Sequence, residues 1–411
     1  MTENALEQKS WHTTILLLAL LFLCLPITYL TLPPLQPFHD KLKDAAIIFS
    51  ILISCILYLY NRIENKFLRR QLVIFMIYYL FLIGESFIRY GSIMAYPHII
   101  LVLSCFFYVI LFYSFLSKRI NLPLFLERLC YLLCGFVYLQ QVLARTSIIP
   151  YFFDASVMQR VTHAMPIFSL LFCTIFFISK YIRRPKLYLL PIIGINLIII
   201  LIENHRSVWT ATIAALLVFT YMILKAKKES VKIIYFLLVM LAIFIVAMYL
   251  LAFAEGRYST YLSFMKERFE EIYKFRQIRG TGMFRYIQYE YYLPYIKENL
   301  LFGMRFKGFE LPGVYEHAFE RVSGHHFHSG YLTVLFYHGL FGFYLLYGPI
   351  IYYIFSFFKQ RKYYTENIAL FAFIVSGLVF SLAYELRFFY FAVLGIGFAL
   401  LEKEENGIAN K

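Results

Sequence analysis

Charge is scarce in this chain of 411 residues: Asp, Glu, Lys and Arg make up 15% of it, against 61% hydrophobic residues and a mean hydropathy of +0.68. An ordinary soluble domain is about a quarter charged and about half apolar, so a soluble globule of this length could not hide the apolar surface. Cysteine is also sparse. Cys24, Cys55, Cys105, Cys130, Cys134 and Cys173 all fall inside apolar runs and none in a hydrophilic stretch. That excludes a disulfide framework and a CxxC-type zinc site, and leaves the thiols as small core hydrophobes. The two-residue alternation of an outer-membrane barrel is missing, as are a transporter-type internal repeat and any low-complexity tract. The N-terminus has no cleavable signal pattern; its first apolar run is too long for one and reads as a retained span.

What is there is a series of long apolar runs, at about 12–32, 44–60, 72–89, 97–116, 123–144, 165–182, 187–203, 208–224, 232–253, 330–358, 368–385 and 388–402. The expected fold is an all-α integral membrane protein of about 12 transmembrane helices, a single polytopic domain over residues 1–411. The run 330–358 is long and contains Gly339, Gly342, Gly348 and Pro349, which fits a tilted, kinked or broken helix. The net charge is +15, and Lys and Arg cluster at 62–70, 118–119, 180–186, 225–232 and 359–362. The alternate loops carry far fewer, among them Arg89, Arg145, Arg160, Arg206 and Arg387. By the positive-inside rule the first set is cytoplasmic, as are both termini. The one large hydrophilic segment, 254–329, then lies on the periplasmic side. Its aromatic and charged content predicts short helices: an amphipathic one over Tyr258 to Phe275, lying on the membrane face, and a second from Met283 to Glu298.

Candidate chemistry gathers on that outer face. Arg206 sits in the short loop Glu203-Asn204-His205-Arg206-Ser207-Val208-Trp209 between two spans. It reads equally as an interfacial arginine beside an anchoring Trp209. Arg285 opens a helix, where a cationic fork and a helix N-terminus can face an anion together; a solvated surface charge is the plain alternative. His325, His326 and His328 precede the span that starts near Tyr331. Their spacing departs from the i, i+4 pair of a helical zinc site and no HExxH accompanies them, although His317 could add a ligand. A general-base histidine at the membrane boundary is the sharper reading, because imidazole titrates near neutral pH. Glu85, four residues before Arg89, is either an intramembrane functional carboxylate or half of a helix-end ion pair.

Three separated stretches then resemble one family. His328-Ser329-Gly330-Tyr331-Leu332-Thr333-Val334-Leu335-Phe336-Tyr337-His338-Gly339-Leu340-Phe341-Gly342 resembles the H-N-x-x-L-x-x-L-x-x-x-G-L-x-G signature of the O-antigen ligase and polymerase family. Arg285-Tyr286-Ile287-Gln288-Tyr289 followed by Glu298-Asn299-Leu300-Leu301-Phe302-Gly303 is similar to its R-x-x-x-W…E-N-P-L-x-G run. Arg206-Ser207 is similar to its S-R-G turn. The chain departs from the pattern at Ser329, Tyr289, Leu300 and His205, none of which removes a group expected to do chemistry.

The resemblance implies a membrane glycosyltransferase of lipopolysaccharide biosynthesis in the bacterial inner membrane. It would use a glycan on undecaprenyl diphosphate, invert the anomeric centre and need no metal or other cofactor. A ligase passes the glycan to a lipid A-core acceptor; a polymerase, the alternative, passes it to the next lipid-linked repeat unit. By the same resemblance His328 is catalytic and Arg206 and Arg285 bind the donor diphosphate, with Arg305, His325 and His326 as secondary candidates. A bidentate guanidinium is the side chain suited to a phosphate leaving group where no metal takes the charge. A polytopic transporter or flippase would instead place charges at mid-membrane on discontinuous helices, and a membrane scaffold would tolerate loss of His328.

Overall fold

The computed structural model describes residues 36–60, 62–119, 121–144, 162–226, 281–311, 327, 329–360 and 365–405. These residues form helices α1 (Gln36–Leu59), α2 (Lys66–Tyr90), α3 (Pro97–Arg119), α4 (Leu122–Ala144), α5 (Ala164–Arg183), α6 (Leu189–Ile202), α7 (Arg206–Ala226), α8 (Thr281–Glu298), α9 (Lys307–Glu310), α10 (Gly330–Phe358), α11 (Thr365–Phe380) and α12 (Phe388–Glu405). There is no strand among the described residues. Among the described residues six helices are long and apolar enough to cross a membrane, namely α2, α3, α4, α5, α7 and α10, and shorter apolar helices accompany them. The chain is an α-helical, multi-pass membrane protein. The apolar runs at 12–32 and 232–253 and the amphipathic stretch at 258–275 lie outside the described residues. One boundary is corrected: the run expected as a span over 368–385 is helical only to Phe380, and residues 381–387 form a turn.

Helix α5 lies at the centre. Every residue from Ala164 to Ser179 is buried, the pattern of a helix that is apolar all round. It packs against α4, α6, α7 and α11, while α12 lies along α3. Aromatic rings fill the seams: Phe168 stacks on Phe380 at 4.2 Å and on Phe373 at 4.7 Å. The outer helix α2 instead leaves Ile77, Leu80, Phe81 and Ile88 exposed, a lipid-facing stripe. Trp209 is not the interfacial anchor that its position suggested. It is fully buried, and its indole N–H donates to the Ile200 carbonyl at 2.9 Å. Cys105, Cys130, Cys134 and Cys173 are buried thiols outside any disulfide and Cys55 is a half-buried one, as small core hydrophobes are.

Helix α10 is broken at Gly339, where φ is 61° and ψ is −159°, a conformation that only glycine adopts readily. In an unbroken helix Leu340 and Phe341 would donate to the carbonyls of Phe336 and Tyr337. Here they donate to Leu300 and Leu301 at 2.8 and 3.0 Å, and the vacated carbonyls accept from Met304 and Arg305 at 2.7 and 2.9 Å. The loop 300–305 thus enters the break and exchanges hydrogen bonds with it. Gly303 and Gly339 meet there: a Cβ on Gly303 would lie 2.5 Å from the His338 nitrogen, and one on Gly339 2.6 Å from the Gly303 nitrogen. Irregular backbone at this depth survives only inside protein, where such exchange is complete. His338, the residue before the break, is buried between two neighbours. Its Nε2 donates to the Ile99 carbonyl at 3.1 Å and its Nδ1 accepts from the Tyr78 hydroxyl at 3.2 Å, which ties α10 to α2 and α3. Lower in the same helix Pro349 cannot donate to Leu345, and Gln71 Nε2 of α2 supplies that carbonyl at 3.3 Å.

The bundle has two chemically distinct ends. At one, Lys180 pairs with Glu127 and Arg183 with Glu366, and Lys225 lies over the Phe358 ring. At the other are the start of α10, the 203–206 loop, the start of α8 and the turn 381–387.

Candidate functional site

Tyr384 and Glu385, adjacent in the turn after α11, join the separated motifs at that second end. The turn is docked on the first residue of α10. Gly330 N–H donates to the Ser381 carbonyl at 2.9 Å. A Cβ on Gly330 would lie 2.6 Å from Ser381 Oγ and 2.8 Å from the Tyr384 carbonyl oxygen, so glycine is required for this approach. Ser329 caps α10, its side chain accepting from Leu332 N–H at 3.4 Å. Serine does here what the asparagine of the family pattern would do, since both are good N-caps. One turn on, Thr333 donates to Glu385 Oε1 at 3.1 Å.

His328, His325 and His326 lie outside the described residues. The residues flanking His328 are held. Phe327 is buried against Tyr292 at 4.8 Å and Phe336 at 4.9 Å, and Ser329 is fixed as the cap.

Glu385 is the centre of a charge cluster. His98 Nε2 lies 3.4 Å from its Oε1, and Arg387 pairs with its Oε2 at 3.1 Å. Burial by itself raises a carboxyl pKa; the charge of Arg387 and the hydrogen bonds from His98 and Thr333 more than offset it and push Glu385 down to about 2. Glu385 is therefore ionised throughout the physiological range.

Arg285 is the fifth residue of α8, and its guanidinium carbon lies 5.9 Å from the centre of the Tyr384 ring, within cation–π range. Arg206 is the first residue of α7 and is half-buried. The loop that delivers it is built by its own side chains. Glu203 accepts from Gln141 Nε2 at 2.7 Å and from the Thr162 N–H at 3.0 Å. Asn204 takes the left-handed conformation, with φ of 54°, which asparagine tolerates better than most residues. His205 Nε2 donates to the Thr162 carbonyl at 2.7 Å, and the His205 ring meets Tyr384 edge-on at 6.5 Å. The replacement of the usual serine by His205 thus adds a contact between this loop and the turn 381–387.

Arg305 is not brought to this cluster. Its Nε donates to Glu85 at 2.8 Å, its guanidinium lies over the Phe81 ring at 5.6 Å, and its backbone is held at the helix break by the Tyr337 carbonyl. That level is about 12 Å along α10 from Ser329, at 1.5 Å per residue. Glu85 also pairs with Arg89 at 3.1 Å, so the carboxylate bridges two arginines and the i, i+4 pair is one half of a larger network.

Tyr384, Glu385, His98 and Thr333 were not singled out by sequence reasoning. The available signal was an acid and a base two residues apart, Glu385 and Arg387, in a loop between two apolar runs.

Chemically, this end combines an arginine on an aromatic face, a second arginine at a helix N-terminus and a half-buried carboxylate. It can receive an anion with a polar substrate beside it. Residues 189–347, which include Arg206, Arg285, the 300–305 loop and the break in helix α10, match the family model described as O-antigen ligase. No curated protein matches the chain. The match covers less than half of the chain, spans the motif residues and sits in an α-helical membrane protein; over 189–347 the chain is similar to the O-antigen ligase family.

Proposed function

We propose that the protein is an O-antigen ligase of the inner membrane, with its active end and the 254–329 segment facing the periplasm. It transfers a glycan from undecaprenyl diphosphate to a lipid A-core acceptor. In this reading Arg206 and Arg285 bind the donor diphosphate as bidentate forks and stabilise the charge that develops as it leaves. The acceptor hydroxyl attacks the anomeric carbon from the face opposite the diphosphate. The new C–O bond forms as the sugar–phosphate C–O bond breaks, and the diphosphate takes that electron pair, so the centre inverts. His328 accepts the hydroxyl proton. No metal is assigned a part, because the arginines meet the leaving charge. His325 and His326 shape the surroundings.

The observation that carries this reading is the convergence on Tyr384 and Glu385. Arg285 lies over the Tyr384 ring, the Arg206 loop meets the same ring through His205, and Glu385 packs on the helix that begins two residues after His328. The three motif segments are separated by tens of residues in sequence and have a common neighbour. The orientation is supported by the basic residues at the opposite end of the bundle.

Lipopolysaccharide from a strain lacking the gene tests the proposal. Core without O-chain, with lipid-linked polymer accumulating, is the expected result. Core carrying a single repeat unit would identify a polymerase instead, and unchanged lipopolysaccharide would refute both.

A further inference from the structure

We infer that Tyr384, which lies outside the matched 189–347 region, is a positioning residue that presents the guanidinium of Arg285 to the donor diphosphate through the face of its ring. The inference rests on the assignment of Arg285 to the diphosphate.

Arginine is a poor fixed charge when unsupported. Its side chain carries large rotamer freedom, and ordering it on binding weakens the complex. A preorganised fork requires something that restrains the guanidinium without neutralising it. A carboxylate would restrain it but would also compete with the phosphate. An aromatic face restrains it by its negative quadrupole and leaves the N–H donors in the guanidinium plane directed outward. The Arg285 guanidinium carbon lies over the Tyr384 ring, 5.9 Å from its centre.

The ring is itself rigidly held. Phe380 stacks on it at 5.3 Å and 18°, and the backbone N–H of Tyr384 donates to the Phe380 carbonyl at 3.1 Å. Two imidazoles meet it edge-on, His205 at 6.5 Å and His163 at 6.1 Å. His163 caps α5, and His205 precedes Arg206. The same ring therefore fixes one arginine by its face and the approach of the loop bearing the other by its edge.

The measurement is transfer of a glycan from undecaprenyl diphosphate to purified rough lipopolysaccharide by the full-length protein in proteoliposomes, alone and in an Arg285→Lys background. Tyr384→Phe keeps the ring and should remain within about twofold of wild type. Tyr384→Leu should lower kcat/KM about tenfold, the fold-change that one cation–π contact supports. In the Arg285→Lys background Tyr384→Leu should cost at most about twofold more, because the guanidinium it positions is gone. Fluorinated phenylalanines at position 384 keep the shape and weaken the negative face, so activity should fall stepwise with fluorine number even if Tyr384→Leu does not fold. Flat activity across that series, or a tenfold loss that is fully additive with Arg285→Lys, would overturn the inference. Wild-type turnover in Arg285→Lys itself would instead overturn the diphosphate assignment beneath it.

Discussion

Replacing Gly303 with alanine tests the interlock between the 300–305 loop and the broken helix. The residue has φ of +66°, and an added Cβ would stand 2.5 Å from the His338 nitrogen and the Tyr337 carbonyl carbon. Both obstacles are backbone, so no rotamer change relieves the overlap. The left-handed conformation alone costs an L-residue about 1–2 kcal/mol. Restoring van der Waals distance requires the loop to withdraw by about 1 Å, which takes the four exchanged hydrogen bonds, now 2.7 to 3.0 Å, out of range. Each is worth about 1 kcal/mol net, and more where the separated groups find no water. The expected loss is therefore about 5 kcal/mol. Gly84 and Gly135 are the controls: both are helical with nothing within 4 Å of an added Cβ, and alanine there should stabilise by about 0.5–1 kcal/mol. The assay is thermal unfolding in detergent at one fixed scan rate, read by a thiol dye that reaches the buried Cys105, Cys130, Cys134 and Cys173 only on unfolding. Gly303→Ala should melt at least about 5 °C below wild type, and Gly303→Ala with Gly339→Ala should be less than additive, since both open one contact. A Gly303→Ala protein that melts within a degree of wild type would refute the interlock as a source of stability.

Three other outcomes are expected. Arg206→Lys and Arg285→Lys keep the charge and lose the fork, so each should reduce transfer about tenfold or more at equal protein level; wild-type turnover in both would leave them as interfacial residues. His328→Ala should reduce transfer by about 10²–10⁴-fold, with His325→Ala and His326→Ala milder and chelators without effect; equal damage from all three, reproduced by a chelator, would make the cluster a metal site. Glu385 has a depressed pKa, so its contribution to stability is complete above its ordinary value near 4.5 and is lost as pH falls toward about 2. Glu385→Gln should cost about 2 kcal/mol at pH 7, a figure reduced for the half-exposed Arg387. It should also flatten the fall in melting temperature between pH 4.5 and 2, and an unchanged acid limb would refute the charge cluster.

The candidate site was partly legible in the sequence. Arg206 and Arg285 could be picked out through the family pattern, because an arginine in a short loop between apolar runs, or at a helix start, reads just as well by itself as an interfacial or solvated charge. Ser329 could be read in a family pattern, and as a cap it behaves as serine must. Arg305 was a secondary candidate, and Glu85 on α2 and the Tyr337 carbonyl hold it elsewhere. Tyr384 was one of 36 tyrosines, and nothing local marks the one whose ring Arg285 lies over. The Glu298-to-Gly303 run and the Gly339-to-Gly342 run both stood out as motifs. That one enters the other, exchanging hydrogen bonds between loop and helix, was invisible, because complementarity between two backbones has no one-dimensional signature.

By itself the sequence determined that the chain is helical and built for a membrane. Burial of apolar side chains and satisfaction of backbone polar groups without water act locally, and an unbroken apolar run leaves the helix as the only segment that satisfies both. Tertiary structure decided where α10 breaks, which partners hold the Glu385 carboxylate ionised, and which arginines have a common neighbour. Those outcomes depend on partners brought in from other helices, whose distances are set by packing of the whole bundle. A charge or an open peptide group in a low-dielectric interior is stable only with its partner in place, and that partner is chosen in three dimensions.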